Sequence, residues 1–255
     1  MTAIINFDHV SKLYNGKAVV DDVSFTIEKG EFITILGSSG SGKTTTLKMI
    51  NRLIEPSKGK IEFNGQDLLA LDPIAHRRHI GYVVQQIGLF PHMTVADNIA
   101  TVPKLLKWDK ERIYQETNRL LELVQLPAQE YAERYPHELS GGQQQRVGVA
   151  RALACDPNVI LFDEPFGAID AITRTDLQDQ LLSIHQQLAN KTFIFITHDI
   201  TEAFKLGNRI LIMDQGRVCQ FDQPQTIIKN PQNDFVSKLI ETARAQESLW
   251  SLAHD

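Results

Sequence analysis

Long hydrophobic runs are missing from this chain of 255 residues. The most apolar stretches, such as Phe193-Ile194-Phe195-Ile196, fall far short of the ~20 residues a membrane-crossing helix needs. Any role at a membrane would therefore need another chain to supply the span. The opening Met-Thr-Ala-Ile-Ile-Asn-Phe-Asp has no basic region followed by an apolar run, which argues against an export signal. Cysteine is scarce. Cys155 and Cys219 stand far apart at no metal or redox spacing, and they read as small buried hydrophobes in a reducing compartment. Positive charge is not in excess either: 26 Lys and Arg face 31 Asp and Glu, for a net charge of −5. That balance argues against a nucleic-acid-binding surface over the whole chain. These absences together predict a soluble, cytoplasmic protein.

What is present is an ordinary globular composition, 42% hydrophobic and 22% charged, long enough to bury a substantial core. Short strands are expected at Ile4–Phe7, Ala18–Ile27 and Lys60–Phe63, with turns at Asn15-Gly16 and Asn64-Gly65. Phe32–Leu36 is an apolar run ending in glycines. A helix follows from about Gly42, with Leu47, Ile50 and Ile54 on one face, stopped by Pro56 and Gly59. From about Pro91 to Ala154 the pattern is mainly helical. Apolar runs then return at Val159–Phe162, Phe193–Ile196 and Ile210–Met213, separated by helices such as the one striped by Leu177, Leu181, Ile184 and Leu188. Strands alternating with helices imply an α/β fold around a buried parallel sheet. The expected division is a domain over 1–235, with a helical subdomain at about 91–155, and a helical tail over 236–255.

Gly37-Ser38-Ser39-Gly40-Ser41-Gly42-Lys43-Thr44 fits the P-loop pattern, after a buried strand and before a helix. Glycines let the backbone wrap phosphates closely, and the helix start aims its positive end at the anion. Lys43 would supply charge to the β- and γ-phosphates and the Thr44 hydroxyl would hold Mg²⁺, with Thr45 beside it. ATP and Mg²⁺ are the expected ligands. Val159–Phe162 runs into Asp163 and Glu164. Carboxylates at a strand end would lie at the ligand-binding edge of an α/β sheet, Asp163 orienting Mg²⁺ and Glu164 polarising the attacking water. A polar strand end before a helix would read the same way. His198 ends the Phe193–Ile196 run and would reach the same edge, although a lone histidine there is more often a helix cap or a surface group.

Leu139-Ser140-Gly141-Gly142-Gln143 opens another helix, with Ser140 and Gln143 in capping-box spacing. The segment reads either as an ordinary capped helix or as a second anion-binding helix start. With only one P-loop in the chain, two copies placed head to tail would complete two sites.

The P-loop, the segment from Leu139 to Gln143, and Leu161-Phe162-Asp163-Glu164-Pro165 occur in an order and spacing that resembles the nucleotide-binding domains of ABC transporters. That resemblance implies an ATPase with a P-loop NTPase, RecA-like core, an antiparallel β-subdomain and a helical signature subdomain. It implies that Tyr14 stacks on adenine, that Gln85 senses Mg²⁺ and the γ-phosphate, and that His198 is a switch histidine. Ser140, Gly141, Gly142 and Gln143 would face ATP held by the partner's P-loop. Asp170, in Gly167-Ala168-Ile169-Asp170, would communicate across the dimer, although Ile169 stands where leucine is commoner.

The stretch Gly81-Tyr82-Val83-Val84-Gln85-Gln86-Ile87-Gly88-Leu89-Phe90-Pro91-His92-Met93-Thr94-Val95 is similar to ATPase subunits of osmoprotectant importers, which take up glycine betaine, choline or carnitine. The implied partners are a second ATPase subunit, most simply a homodimer, integral membrane permease subunits and an extracytoplasmic solute-binding protein. The implied place is the cytoplasmic face of the membrane. Phe90, Pro91 and Met93 would lie in an apolar groove receiving a permease helix, or else pack in the core. Many such relatives carry tandem CBS domains after the ATPase, whereas this sequence ends shortly after Leu252, so the module is either lacking or cut off. An importer of amino acids or another small solute is the nearest alternative. A non-transport ABC protein is a more distant one, and a P-loop kinase or GTPase would leave Leu139–Gln143 unexplained.

Overall fold

The computed structural model describes residues 2–85, 88–167 and 169–251, the last helix without side chains beyond Arg244. Gln86, Ile87, Ala168 and Leu252, all quoted above, lie outside the described residues. The chain divides into two compact units, Met1–Leu71 with Ile194–Asp255, and Asp72–Phe193.

The first unit begins with β1 (Ala3–Tyr14) and β2 (Lys17–Glu28), an antiparallel pair with Tyr14 opposite Lys17 and Phe7 opposite Phe25. Asn15 and Gly16 both have positive φ, 50° and 78°, the backbone a tight two-residue hairpin turn requires. β3 (Phe32–Gly37) leads into α1 (Lys43–Ile50), then come β4 (Lys58–Phe63) and β5 (Gln66–Asp67). One sheet runs in the order β2-β1-β4-β5, and its buried face carries Phe7, Phe25, Ile27 and Ile61, the two phenyl rings stacked at 4.4 Å. Here α1 is shorter than its apolar stripe predicts. Asn51 caps it and Arg52 turns to φ 53°, so Ile54 lies beyond the helix. The stop comes from this turn and not from Pro56 or Gly59.

The second unit contains α2 (Pro73–Arg78), β6 (Ile80–Val84), α3 (Val95–Ile99), α4 (Thr101–Leu105), α5 (Lys110–Leu123), α6 (Ala128–Tyr131), α7 (Gly141–Leu153), β7 (Val159–Asp163) and α8 (Ala171–Gln187). It ends in the first residues of β8 (Thr192–Thr197), which straddles the boundary. Within this unit β7 and β6 are neighbours. β6 and β7 are parallel, from Ile80 opposite Val159 to Val84 opposite Asp163. Leu120 and Leu121 of α5 and Val147 of α7 are buried, and Leu177, Leu181 and Ile184 of α8 form a buried stripe at helical period. Leu188 caps α8 instead of continuing its stripe. Phe162 and Phe193 meet at 5.3 Å.

The chain returns to the first unit through α9 (Ile200–Leu206), β9 (Arg209–Asp214), β10 (Arg217–Asp222), α10 (Pro224–Lys229) and α11 (Asp234–Ser251). There the order is β10-β9-β3-β8, with β3 and β9 parallel and β10 an antiparallel edge. β3 and β8 are buried at every position, which is why both read as unbroken apolar runs rather than alternating ones. Val236 and Ile240 of α11 pack on Leu36, Ile210, Ile212 and Ile227. Cys155 and Cys219 are half-buried rather than buried, and burial pushes the Cys155 thiol up to about 11. Among the described residues no helix is long and apolar enough to cross a membrane.

Candidate nucleotide site

Of the residues singled out from sequence, the first unit holds Tyr14, the loop Gly37–Thr45 and His198, and the second holds Gln85, Ser140–Gln143, Asp163, Glu164 and Asp170.

In the first unit the loop leaves β3 at Gly37, opposite Met213 in the parallel pairing. A Cβ at Gly37 would lie 2.1 Å from the Met213 carbonyl oxygen, and one at Gly42, whose φ is +99°, would lie 2.8 Å from the Val19 carbonyl oxygen. No other residue type fits either place. Around these points the backbone closes on itself. Ser41 N–H donates to the Ser38 carbonyl at 3.2 Å, and Gly216 N–H to the Ser41 carbonyl at 3.1 Å. The Ser38 hydroxyl donates to Asp214 at 3.2 Å.

Lys43 is only 5% exposed. Its ammonium donates to the carbonyls of Gly37 and Ser38 at 2.8 and 2.9 Å, so a positive charge is strapped across the loop. The Ser41 hydroxyl oxygen is buried with no hydrogen-bond partner. Ser38, Ser39 and Gly40 are exposed, and nothing lies within 4 Å of a Cβ at Gly40. A buried cation, an orphaned hydroxyl and an open glycine rim before a helix start fit a bound anionic phosphate.

Tyr14, 45% exposed, closes β1 with the Lys12 ammonium 5.2 Å from its ring centre. His198 follows β8 and is exposed. It is Asp199 that caps the next helix, accepting from the backbone N–H groups of Thr201 and Glu202 at 2.8 and 3.2 Å. The capping role that competes for His198 therefore belongs to its neighbour.

In the second unit Val84 and Asp163 are opposite in register, so Gln85 and Glu164 leave parallel strands at the same end. Gln85 is exposed, with its side-chain nitrogen 3.2 Å from where a Gly167 Cβ would stand. Glu164 has φ 49°. A non-glycine residue in that region costs roughly 1–2 kcal/mol, and such positions gather at functional sites.

The Tyr82 hydroxyl donates to Asp163 Oδ2 at 3.1 Å. Burial first, and then the Asp163 charge, push the phenol far up, so it remains a donor. Asp170 accepts from Thr173 N–H at 3.0 Å as the cap of α8. That bond holds its carboxyl below the usual range.

Ser140 and Gln143 form the capping box reciprocally. Gln143 N–H donates to the Ser140 hydroxyl at 3.3 Å, and Ser140 N–H donates to Gln143 Oε1 at 2.9 Å. Gly142 is pressed on Thr173, 2.7 Å from a Cβ, while Gly141 has nothing within 4 Å. The start of α7 is thus fixed on one side and open on the other.

A groove of about 520 Å³ in the same unit is lined by Ile74, Tyr82, Phe90, Leu105 and Arg151, among others. Phe90 is 40% exposed, so it is not core. Pro91 and Met93, expected beside it, are not among the lining residues. Sequence reasoning missed Tyr82. It also missed Arg151, which donates to the Gly88 carbonyl at 2.8 Å.

The ABC transporter family profile matches residues 20–167. The chain belongs to the ABC transporter family. It is 54% identical over 246 residues to a protein called carnitine transport ATP-binding protein OpuCA, from Listeria monocytogenes, covering 96% of this chain and 62% of that one. It is 49% identical over 249 residues to one called glycine betaine uptake system ATP-binding protein YehX, from Escherichia coli, covering 98% of this chain and 80% of the other. It thus spans under two thirds of the OpuCA length. Among solved structures, the ATP-binding cassette MJ0796, a dimer in a post-hydrolysis state bound to ADP and Pi, aligns with a TM-score of 0.74 at 33% identity, covering 86% of this chain and 98% of that one. The α/β, P-loop NTPase architecture read from the sequence is the one this ABC chain adopts.

Proposed function

We propose that this chain is the ATP-hydrolysing subunit of an ABC importer for quaternary-amine osmoprotectants such as glycine betaine, choline or carnitine. One observation carries the reading. A single chain joins a glycine loop strapped by a buried ammonium to a second capped helix start whose leading glycine opens outward. The names of its 54% and 49% identical relatives support the substrate class.

In this reading Tyr14 stacks on adenine, and the loop from Gly37 to Thr45 wraps the phosphates, with Lys43 on the β- and γ-oxygens. Thr44, Gln85 and Asp163 would hold Mg²⁺, a set of one hydroxyl, one amide and one carboxylate that suits an ion shared with substrate phosphates. Mg²⁺ held there would supply charge neutralisation for the phosphates. Glu164 takes a proton from the attacking water at its carboxylate while the bond to the bridging oxygen of ADP breaks. His198 holds the γ-phosphate. Ser140, Gly141, Gly142 and Gln143 face the nucleotide of a second subunit, and Asp170 links the two. The groove beside Phe90 receives a membrane permease subunit at the cytoplasmic face, with an extracytoplasmic binding protein delivering the solute. Nucleic acid has no part in it.

The rate of ATP hydrolysis is expected to rise with the square of chain concentration at low concentration. Mixing a Ser140→Arg chain with a Lys43→Ala chain is expected to restore about one working composite site. A rate proportional to concentration, or no recovery at any mixing ratio, would remove the shared site. Reconstituted with its permease and binding protein, the chain should drive uptake of radiolabelled betaine or choline that depends on ATP. Uptake of an amino acid instead would move the substrate class.

A further inference from the structure

We propose that Tyr82 is a positioning residue that holds the Asp163 carboxylate in place for the divalent cation. The inference rests on the reading of Asp163 given above and extends it to a residue to which that reading gives no role.

The geometry is simple. β6 and β7 run parallel with Tyr82 opposite Leu161 and Val84 opposite Asp163, so the ring of Tyr82 lies two positions short of the carboxylate and a long aromatic side chain spans the gap. Its hydroxyl donates to Asp163 Oδ2 at 3.1 Å, a bond between strands 81 residues apart in sequence. A charge-assisted bond from a half-buried phenol restrains the rotation of that carboxylate. The rest of the tyrosine is not idle. Its ring lines the 520 Å³ groove with Ile74, Phe90 and Leu105, so one side chain joins that groove to the carboxylate.

Partners of metal-holding carboxylates typically change metal affinity by about 10–100-fold when removed. The test is Tyr82→Phe, which deletes one oxygen and leaves the ring in the groove. Mn²⁺ affinity is measured by calorimetric titration into the full chain saturated with a non-hydrolysable ATP analogue. Mn²⁺ is expected to bind about tenfold more weakly to Tyr82→Phe, with the melting temperature little changed. In an Asp163→Asn background, the further change to Phe is expected to make no difference.

Affinity within twofold of the parent would overturn the role of Tyr82, and so would an undiminished effect in the Asp163→Asn background, which would mean that Tyr82 acts by another route. Should the parent chain itself show no divalent-dependent nucleotide complex, the assignment of Asp163 fails first and this inference falls with it. Tyr82→Met, which also lacks the hydroxyl and adapts its flexible side chain to the groove, serves if the phenylalanine variant does not fold.

Discussion

Replacing Glu164 by Gln is expected to lower ATP turnover by about 10²–10⁴-fold, the usual contribution of a general base, while ATP affinity changes only a few-fold. The substitution keeps length and shape but removes the capacity to take a proton. Glu164 holds φ 49° at the end of β7, a backbone demand Gln meets as well as Glu does, so the loop should stay as it is. Binding and hydrolysis are then separated. In the proposed reading ATP would still assemble the two-subunit state with nothing to dismantle it, so an ATP-bound dimer should accumulate on sizing chromatography. A variant that stays monomeric and active would refute the general-base role. A variant that loses ATP binding too would show that Glu164 holds the nucleotide instead of the water.

Lys43→Ala has the second large effect, this time on binding. The ammonium is buried and already bridges the carbonyls of Gly37 and Ser38, so a phosphate arriving there meets a charge in place. Hydrogen bonds to charged groups contribute about 1.5–3 kcal/mol each, and losing one to two of them weakens ATP by about a hundredfold. The same truncation leaves two loop carbonyls without their strap, so a fluorescence titration should be paired with a melting curve. Unchanged affinity in a folded variant would count against the loop as the phosphate cradle. Loss of affinity in a variant that still folds, with a lowered melting temperature, is the expected result.

The parts of this molecule that sequence revealed are those whose chemistry is contiguous. The loop from Gly37 to Thr44 must be consecutive to wrap an anion, and the helix start at Ser140 caps itself through a residue three positions on. The buried strands announced themselves as apolar runs because both faces are covered. What escaped depends on register. β6 is only five residues long and begins Ile-Gly-Tyr, too short and too broken to show a period. Its contact with Asp163 exists only because two parallel strands align Val84 with that residue. The early end of α1 was hidden too, since Ile54 continues the apolar stripe while the chain has already turned at Arg52. His198 was ambiguous in sequence for an opposite reason, with two polar residues following one strand. Only the structure shows that Asp199 takes the cap.

The hairpin of β1 and β2 carries one more consequence. Tyr14 faces Lys17 across the turn, and two residues further along the same strand the Val19 carbonyl is wedged against Gly42 and Gly216. Asp21 N–H donates to the Gly216 carbonyl at 2.8 Å, and the Arg217 guanidinium grips the Asp21 carboxylate at 2.7 Å. Lys17 and Val19 are separated by roughly 7 Å of extended backbone. In the proposed reading, with Tyr14 as the platform for the base, the ring and the phosphate loop would be two jaws of a calliper set on one short arm. On that arm a diphosphate and a triphosphate would be gripped at the same base and the same first phosphates. They would differ only at the free end of the tail.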